Sequence, residues 1–129
     1  MKRKILITDD NLGIQLLVSE FLKADYEMHM FSNGEEVLQY LNTGEIPDLI
    51  IADIQMPKIN GWELLLHLKI SLMFKDIPIL ILSAIEKSDE KIKFLEAGAI
   101  DYMIKPFSPE ELKARVNNIL KRNFHGTVN

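Results

Sequence analysis

Five side chains able to handle a charged group each follow an apolar run. Asp9 and Asp10 follow Lys4-Ile5-Leu6-Ile7-Thr8, Asp53 closes Leu49-Ile50-Ile51-Ala52, Ser83 closes Pro78-Ile79-Leu80-Ile81-Leu82, and Lys105 closes Asp101-Tyr102-Met103-Ile104. Taken singly, an acid in a loop after a strand is most simply solvated or a cap. As a set they are harder to dismiss. Three carboxylates gathered in one place repel one another and need a cation, and one lysine cannot balance them. A donor set made only of oxygens suits Mg²⁺ far better than zinc, which prefers nitrogen and sulfur. A divalent cation, an ammonium and a hydroxyl around one carboxylate would bind the charge of a phosphoryl group. The carboxylate could then act as a nucleophile and form an acyl phosphate. Asp53, which ends the apolar run just before Met56-Pro57, is the candidate for that role.

The elements that must position these residues are legible from patterning. The runs ending on Thr8, Asp53 and Ser83 are too short for helices and apolar throughout, so they read as strands buried on both faces. Glu27 to Phe31 is a weaker strand suited to a sheet edge, and Asp101 to Lys105 is a short last strand. Between them lie five helical stretches. The first has Ile14, Leu17, Val18 and Phe21 as its apolar stripe and runs to about Ala24. The second starts on a capping box at Ser32 and Glu35, buries Val37, Leu38 and Leu41, and ends at Gly44. A turn at Pro57 to Gly61 leads into a third carrying Trp62, Leu65, Leu66 and Leu68 to Ile70. Ser88 to Ala97 is polar and closed by Gly98, and Ser108-Pro109-Glu110-Glu111 starts a last helix bearing Leu112, Val116, Ile119 and Leu120.

Strands alternating with helices predict an α/β fold: a doubly wound, flavodoxin-like sheet of five parallel strands in order 2-1-3-4-5, with helices on both faces. In such sheets ligands bind outside the carboxyl ends of the strands, near the point where strand order reverses. Residues 9, 10, 53, 83 and 105 should therefore face one crevice.

At 129 residues the chain is the size of one domain, expected over residues 1–122 with 123–129 as a flexible tail. Its composition, 47% hydrophobic and 26% charged, is that of a soluble globular protein, and no apolar run approaches the roughly 20 residues of a membrane span. The N-terminal apolar run is too short for a signal peptide, which makes a cytoplasmic location the expectation. The absence of cysteine excludes disulfides, thiol catalysis and cysteine-based zinc sites. A net charge of −4 gives no electrostatic case for binding nucleic acid. His29, His67 and His125 are too scattered to suggest a metal or catalytic site.

Asp9-Asp10, Asp53 with Met56-Pro57 and Gly61, Ser83-Ala84 and Lys105-Pro106-Phe107, in that order, closely resemble the receiver domains of two-component response regulators. The resemblance covers residues 4 to about 121. It implies that Asp53 is a phosphoacceptor, charged from a sensor histidine kinase or a phosphotransfer protein. It implies Mg²⁺ as cofactor, with Asp10 as direct ligand, Asp9 holding metal waters and Gln55 giving a backbone carbonyl. Lys105 would pair with phosphoryl oxygens, Ser83 would hydrogen-bond the phosphoryl group and move toward it, and Lys105–Pro106 would be a cis peptide. Tyr102 matches the family's aromatic switch, which would turn inward as Ser83 moves and alter the face made by the fourth helix, fifth strand and fifth helix. The plainer alternative is an edge-strand aromatic packed on the last helix. Output would pass to a downstream protein effector, with no direct binding to nucleic acid or membrane and no turnover of external substrates. Some receivers dimerise through the same face on phosphorylation, though nothing in the sequence demands it.

Gln55 and Ile85 flank the site, and Ile85 cannot orient an attacking water, so slow self-dephosphorylation is expected. On the first helix Leu12 and Leu16 are left over from the stripe and could help dock a kinase helix. Two other functions compete. A haloacid-dehalogenase-type phosphohydrolase also sets an Asp, a Ser or Thr and a Lys at strand ends, but it needs a second acid where Gln55 stands, and glutamine cannot protonate a leaving group. The other is an unphosphorylated docking module of the same fold.

Overall fold

A computed structural model describes residues 1–128, with side chains as far as Lys121. The tail expected over 123–129 therefore lies outside the fully described residues. In chain order the elements are β1 (Arg3–Thr8), α1 (Leu12–Leu22), β2 (Tyr26–Phe31), α2 (Gly34–Leu41), β3 (Leu49–Asp53), α3 (Gly61–Lys69), β4 (Ile79–Ser83), α4 (Ser88–Glu96), β5 (Asp101–Ile104) and α5 (Pro109–Val128). The sheet is parallel throughout, in the order β2-β1-β3-β4-β5, which is the predicted arrangement.

The apolar runs place β3 and β4 inside because every residue in both is buried. Alternate side chains leave the sheet on opposite faces. Leu6, Ile50, Ala52, Ile79 and Ile81 pack with α2, α3 and Phe94 of α4, while Ile5, Ile7, Leu49, Ile51, Leu80 and Leu82 pack with α1 and α5. Two hydrophobic layers thus clamp the sheet and leave its polar strand ends at one edge.

Two local expectations are corrected. The inner face of α1 is Gln15, Val18 and Leu22, with Ile14 and Phe21 half-buried and Leu17 42% exposed; the helix ends at Leu22. A hydropathy pattern could not register this rotation, because the buried position it turns inward is an amide. The second helix is capped one residue later than Ser32. Asn33 Oδ1 accepts from Glu36 N–H at 2.9 Å, and Glu36 reaches back to Ser32 N–H at 2.7 Å. This offset follows from Gly34, whose N–H donates to Ile59 O at 2.9 Å and whose Cα leaves no room for a side chain against Ile59. The apolar residues of the third helix also divide: Leu65 and Leu68 are core, whereas Leu66 and Ile70 are 41% and 84% exposed. Met28 is half-buried, Met30 exposed and Met56 buried. Gly98 follows α4 with φ +113°, the left-handed conformation that ends a helix.

Candidate functional site

The exit of β1 is held from four directions. Asp9 is fully buried; its N–H donates to Phe31 O at 3.1 Å, its carbonyl accepts from Gln15 Nε2 at 2.7 Å, its Oδ1 accepts from Asn11 N–H at 2.9 Å, and its Oδ2 meets Lys105 Nζ at 2.7 Å. Asp10, the next residue, is exposed. Asn11 then caps α1 by accepting from Ile14 N–H at 3.1 Å.

At the exit of β3, Asp53 is 6% exposed and its Oδ1 lies 3.1 Å from Lys105 Nζ. The backbone just after it is pinned twice at Ile54, whose N–H donates to Leu82 O at 3.1 Å and whose carbonyl accepts from Gly61 N–H at 2.9 Å. A Cβ at Gly61 would stand 2.5 Å from Asp53 O, so only glycine lets α3 begin this close behind the carboxylate. The third helix is then started by a reciprocal box, Asn60 Oδ1 to Glu63 N–H at 2.8 Å and Asn60 N–H to Glu63 Oε1 at 3.0 Å. Behind the site, Thr8 Oγ1 donates to Met56 Sδ at 3.2 Å, tying the β1 end to the loop after Asp53.

At the exits of β4 and β5, Lys105 N–H donates to Ser83 O at 2.7 Å, and the Lys105–Pro106 peptide is cis, as the resemblance implied. Ser83 is 1% exposed and its Oγ accepts from Ile85 N–H at 2.9 Å. Tyr102, also buried, donates its hydroxyl to Ile85 O at 3.2 Å. Its ring packs on Phe94 at 5.7 Å, Phe94 meets Trp62 edge-on at 5.0 Å, and Lys93 Nζ stands 4.2 Å above the Trp62 ring. Tyr102 is therefore already turned inward, and it packs on the α4 side of the sheet rather than on the last helix.

Asp10, Asp53, Gln55, Ser83, Ile85 and Lys105 line one cleft of about 190 Å³, together with Ile54 and Ala84. Asp9 is outside this lining and meets it through Lys105. Burial, reinforced by the Asp9 charge and then by Asp10, pushes the Asp53 carboxyl above its ordinary value, with Lys105 opposing. Burial alone would lower the Lys105 ammonium, but Asp9 and Asp53 outweigh it and raise it. Asp9 and Asp53 thus share one ammonium, and Asp10 adds a third carboxylate that it does not pair with. Asp9, Asp10 and Asp53 can each offer an oxygen within 4.8 Å of the others. The donors are all oxygen and carry excess negative charge, so they fit a hard divalent cation.

Of the residues singled out by sequence, Asp9, Asp10, Asp53, Ser83, Gln55 and Lys105 come together, while Tyr102 stands behind Ser83, joined to it through Ile85. His29 pairs with Glu27 at 2.6 Å on the edge strand, and His67 is exposed on α3; His125 lies outside the fully described residues. Sequence reasoning missed Asn11, Gln15 and Phe94. An Asn directly before an apolar helix was a readable cap signal for Asn11; the other two carried none.

The family profile described as "Response regulator receiver domain" matches residues 5–117. The chain is 44% identical over 125 residues to the alkaline phosphatase synthesis transcriptional regulatory protein PhoP of Bacillus subtilis (strain 168), covering 95% of this chain and 50% of that protein. It is 38% identical over 128 residues to the probable transcriptional regulator ycf27 of Cyanophora paradoxa, covering 98% and 52%. The chain spans about half the length of these curated relatives. Among solved structures, a putative response regulator from Chloroflexus aurantiacus J-10-fl superimposes with a TM-score of 0.87 at 38% identity, covering 94% of this chain and 99% of that one. Among the described residues, no helix is long and apolar enough to cross a membrane.

Proposed function

This chain belongs to the response regulator receiver family, and from that premise we propose that it takes a phosphoryl group onto Asp53 from the phosphohistidine of a sensor histidine kinase or a phosphotransfer protein, with Mg²⁺ as cofactor. The observation that carries this reading is the Lys105 ammonium held between Asp9 and Asp53, at 2.7 and 3.1 Å, in a cleft whose carboxylates outnumber it. Asp10 would bind the cation directly, Asp9 through water, with one Asp53 oxygen and the Gln55 backbone carbonyl completing the protein's share. Bound there, Mg²⁺ supplies charge that offsets the carboxylates and the incoming phosphoryl oxygens.

The remaining Asp53 oxygen attacks phosphorus; the O–P bond forms as the P–N bond to histidine breaks, and the electron pair returns to the imidazole nitrogen. Lys105, kept an ammonium by its two acids, pairs with a phosphoryl oxygen. Ser83 Oγ accepts from Ile85 N–H, so its own proton is available for a phosphoryl oxygen. A Ser83 that turns to the phosphoryl group releases Ile85, and Ile85 is the acceptor for Tyr102. The face of α4, β5 and α5 is thereby coupled to Asp53, and a downstream protein effector reads it; dimerisation on phosphorylation would use the same face. Leu12 and Leu16 are 62% and 46% exposed beside the site, and Leu17 joins them, giving a kinase helix an apolar surface. A cytoplasmic location is where such a kinase would meet this domain. Ile85 beside the site favours a long-lived acyl phosphate.

The test is intact-mass analysis after incubation with acetyl phosphate, with and without Mg²⁺, wild type against Asp53→Asn. One phosphoryl adduct on wild type, dependent on Mg²⁺ and absent from the variant, is expected. An adduct on both, or on neither, defeats the assignment. Turnover of phosphomonoesters by the pure protein would favour a phosphohydrolase instead, a reading that Gln55 argues against.

A further inference from the structure

Gln15 is the polar exception in the buried stripe of α1. It stands at the first inner position, followed by Val18 and Leu22, and is 5% exposed. A buried amide is costly unless its hydrogen bonds are made. Gln15 makes them toward the site: Nε2 donates to Asp9 O at 2.7 Å and lies 3.4 Å from Ser32 Oγ at the end of β2. The carbonyl it grips belongs to the peptide bond that joins Asp9 to Asp10. That peptide sets the direction in which the Asp10 side chain leaves the strand end. Asp9 is fixed otherwise by Phe31, Asn11 and Lys105, whereas Asp10 is exposed and its carboxylate makes no hydrogen bond or ion pair among the described residues.

We infer that Gln15 is a positioning residue for the cation site: by holding the Asp9 carbonyl it orients the Asp9–Asp10 peptide so that the Asp10 carboxylate faces the cleft shared with Asp53. This rests on the reading of Asp9, Asp10 and Asp53 as the Mg²⁺-binding acids. Nothing in hydropathy required an amide here, and an apolar residue of equal length would fill the same space. Partners that orient metal ligands typically change affinity about 10- to 100-fold when removed.

The test compares wild type with Gln15→Met, which keeps length and loses the donor, and Gln15→Arg, which keeps N–H donors. Mg²⁺ affinity is measured directly by calorimetry. The 13C shift of the Asp9 carbonyl and the exchange rates of the Asp10 and Asn11 amides are measured in metal-free protein. Expected are an affinity about 10-fold weaker in Gln15→Met, a shifted Asp9 carbonyl with faster Asp10 exchange, and return toward wild type in Gln15→Arg. An unchanged affinity in folded Gln15→Met overturns the inference, as does an equal loss in both variants, which would mark Gln15 as filler. If Gln15→Met does not fold, Gln15→Leu, also without a donor, takes its place under the same criteria. Failure of wild type itself to bind Mg²⁺ would instead sink the underlying reading of the three acids.

Discussion

Two strands deliver chemistry to the same cleft but leave the sheet in different ways. After β3, the chain is fixed within a few residues: Gly61 N–H reaches Ile54 O, Ile59 O receives Gly34 N–H, and the Asn60–Glu63 box starts a helix that buries Gly61, Leu64, Leu65 and Leu68. After β4, no side chain caps α4 at Lys87, and Phe94 is the one buried residue of that helix. Beyond Ser83 itself, the loop is tied to the site by a pair of exchangeable hydrogen bonds, Ile85 N–H to Ser83 Oγ and Tyr102 hydroxyl to Ile85 O. The β3 exit holds Asp53 still, whereas the β4 exit is built from contacts that can be traded for others. On the proposed reading, the same cleft needs both, a fixed acceptor beside a segment whose partners change when the acceptor is charged.

The contrast can be broken most severely at Phe94. Truncation of a buried aromatic costs about 3–5 kcal/mol, so Phe94→Ala should lower unfolding free energy by about 3 kcal/mol in urea melts. Its hydrogen exchange should rise in α4 and β5 more than in α3, and Trp62 emission should change as its edge-on neighbour is lost. Uniform loosening of both helices would remove the distinction. A smaller effect comes from pH. Asp53 sits above its ordinary carboxyl value in the fold, chiefly through burial and then through Asp9. A raised carboxyl contributes stability below its unfolded pKa and loses it as pH rises through the folded one. Asp53→Asn should therefore raise the melting temperature of metal-free protein at neutral pH and do little in acid; the reverse pH trend would contradict the cause given for the shift. The smallest effect is a repair. Lys87→Ser supplies the missing cap, worth about 1 kcal/mol, and should stabilise α4 and slow its exchange without altering α3.

The fold was legible because its signal is coarse and repeated. Ile5 to Ile7, Leu49 to Ala52 and Ile79 to Leu82 are continuous apolar runs that only strands buried on both faces explain, and their polar endings announced the cleft. Finer placements escaped because they depend on contacts distant in sequence. The α2 cap moved to Asn33 because Gly34 meets Ile59, and α1 rotated because Gln15 had Asp9 O to bond. The Asn60–Glu63 box is written in the sequence, but its Asn60 falls in the Pro57 to Gly61 stretch that reads as a turn. Tyr102 was assigned a switch role by resemblance; its partner Phe94 lies eight positions earlier, on another element, with no local pattern linking the two.

The most direct test of this asymmetry is amide hydrogen exchange with and without beryllofluoride and Mg²⁺. The account predicts altered protection across Ser83 to Gly98 and at Tyr102, with Asn60 to Lys69 unchanged. Equal change in α3 and α4, or no change in either on binding, would contradict it.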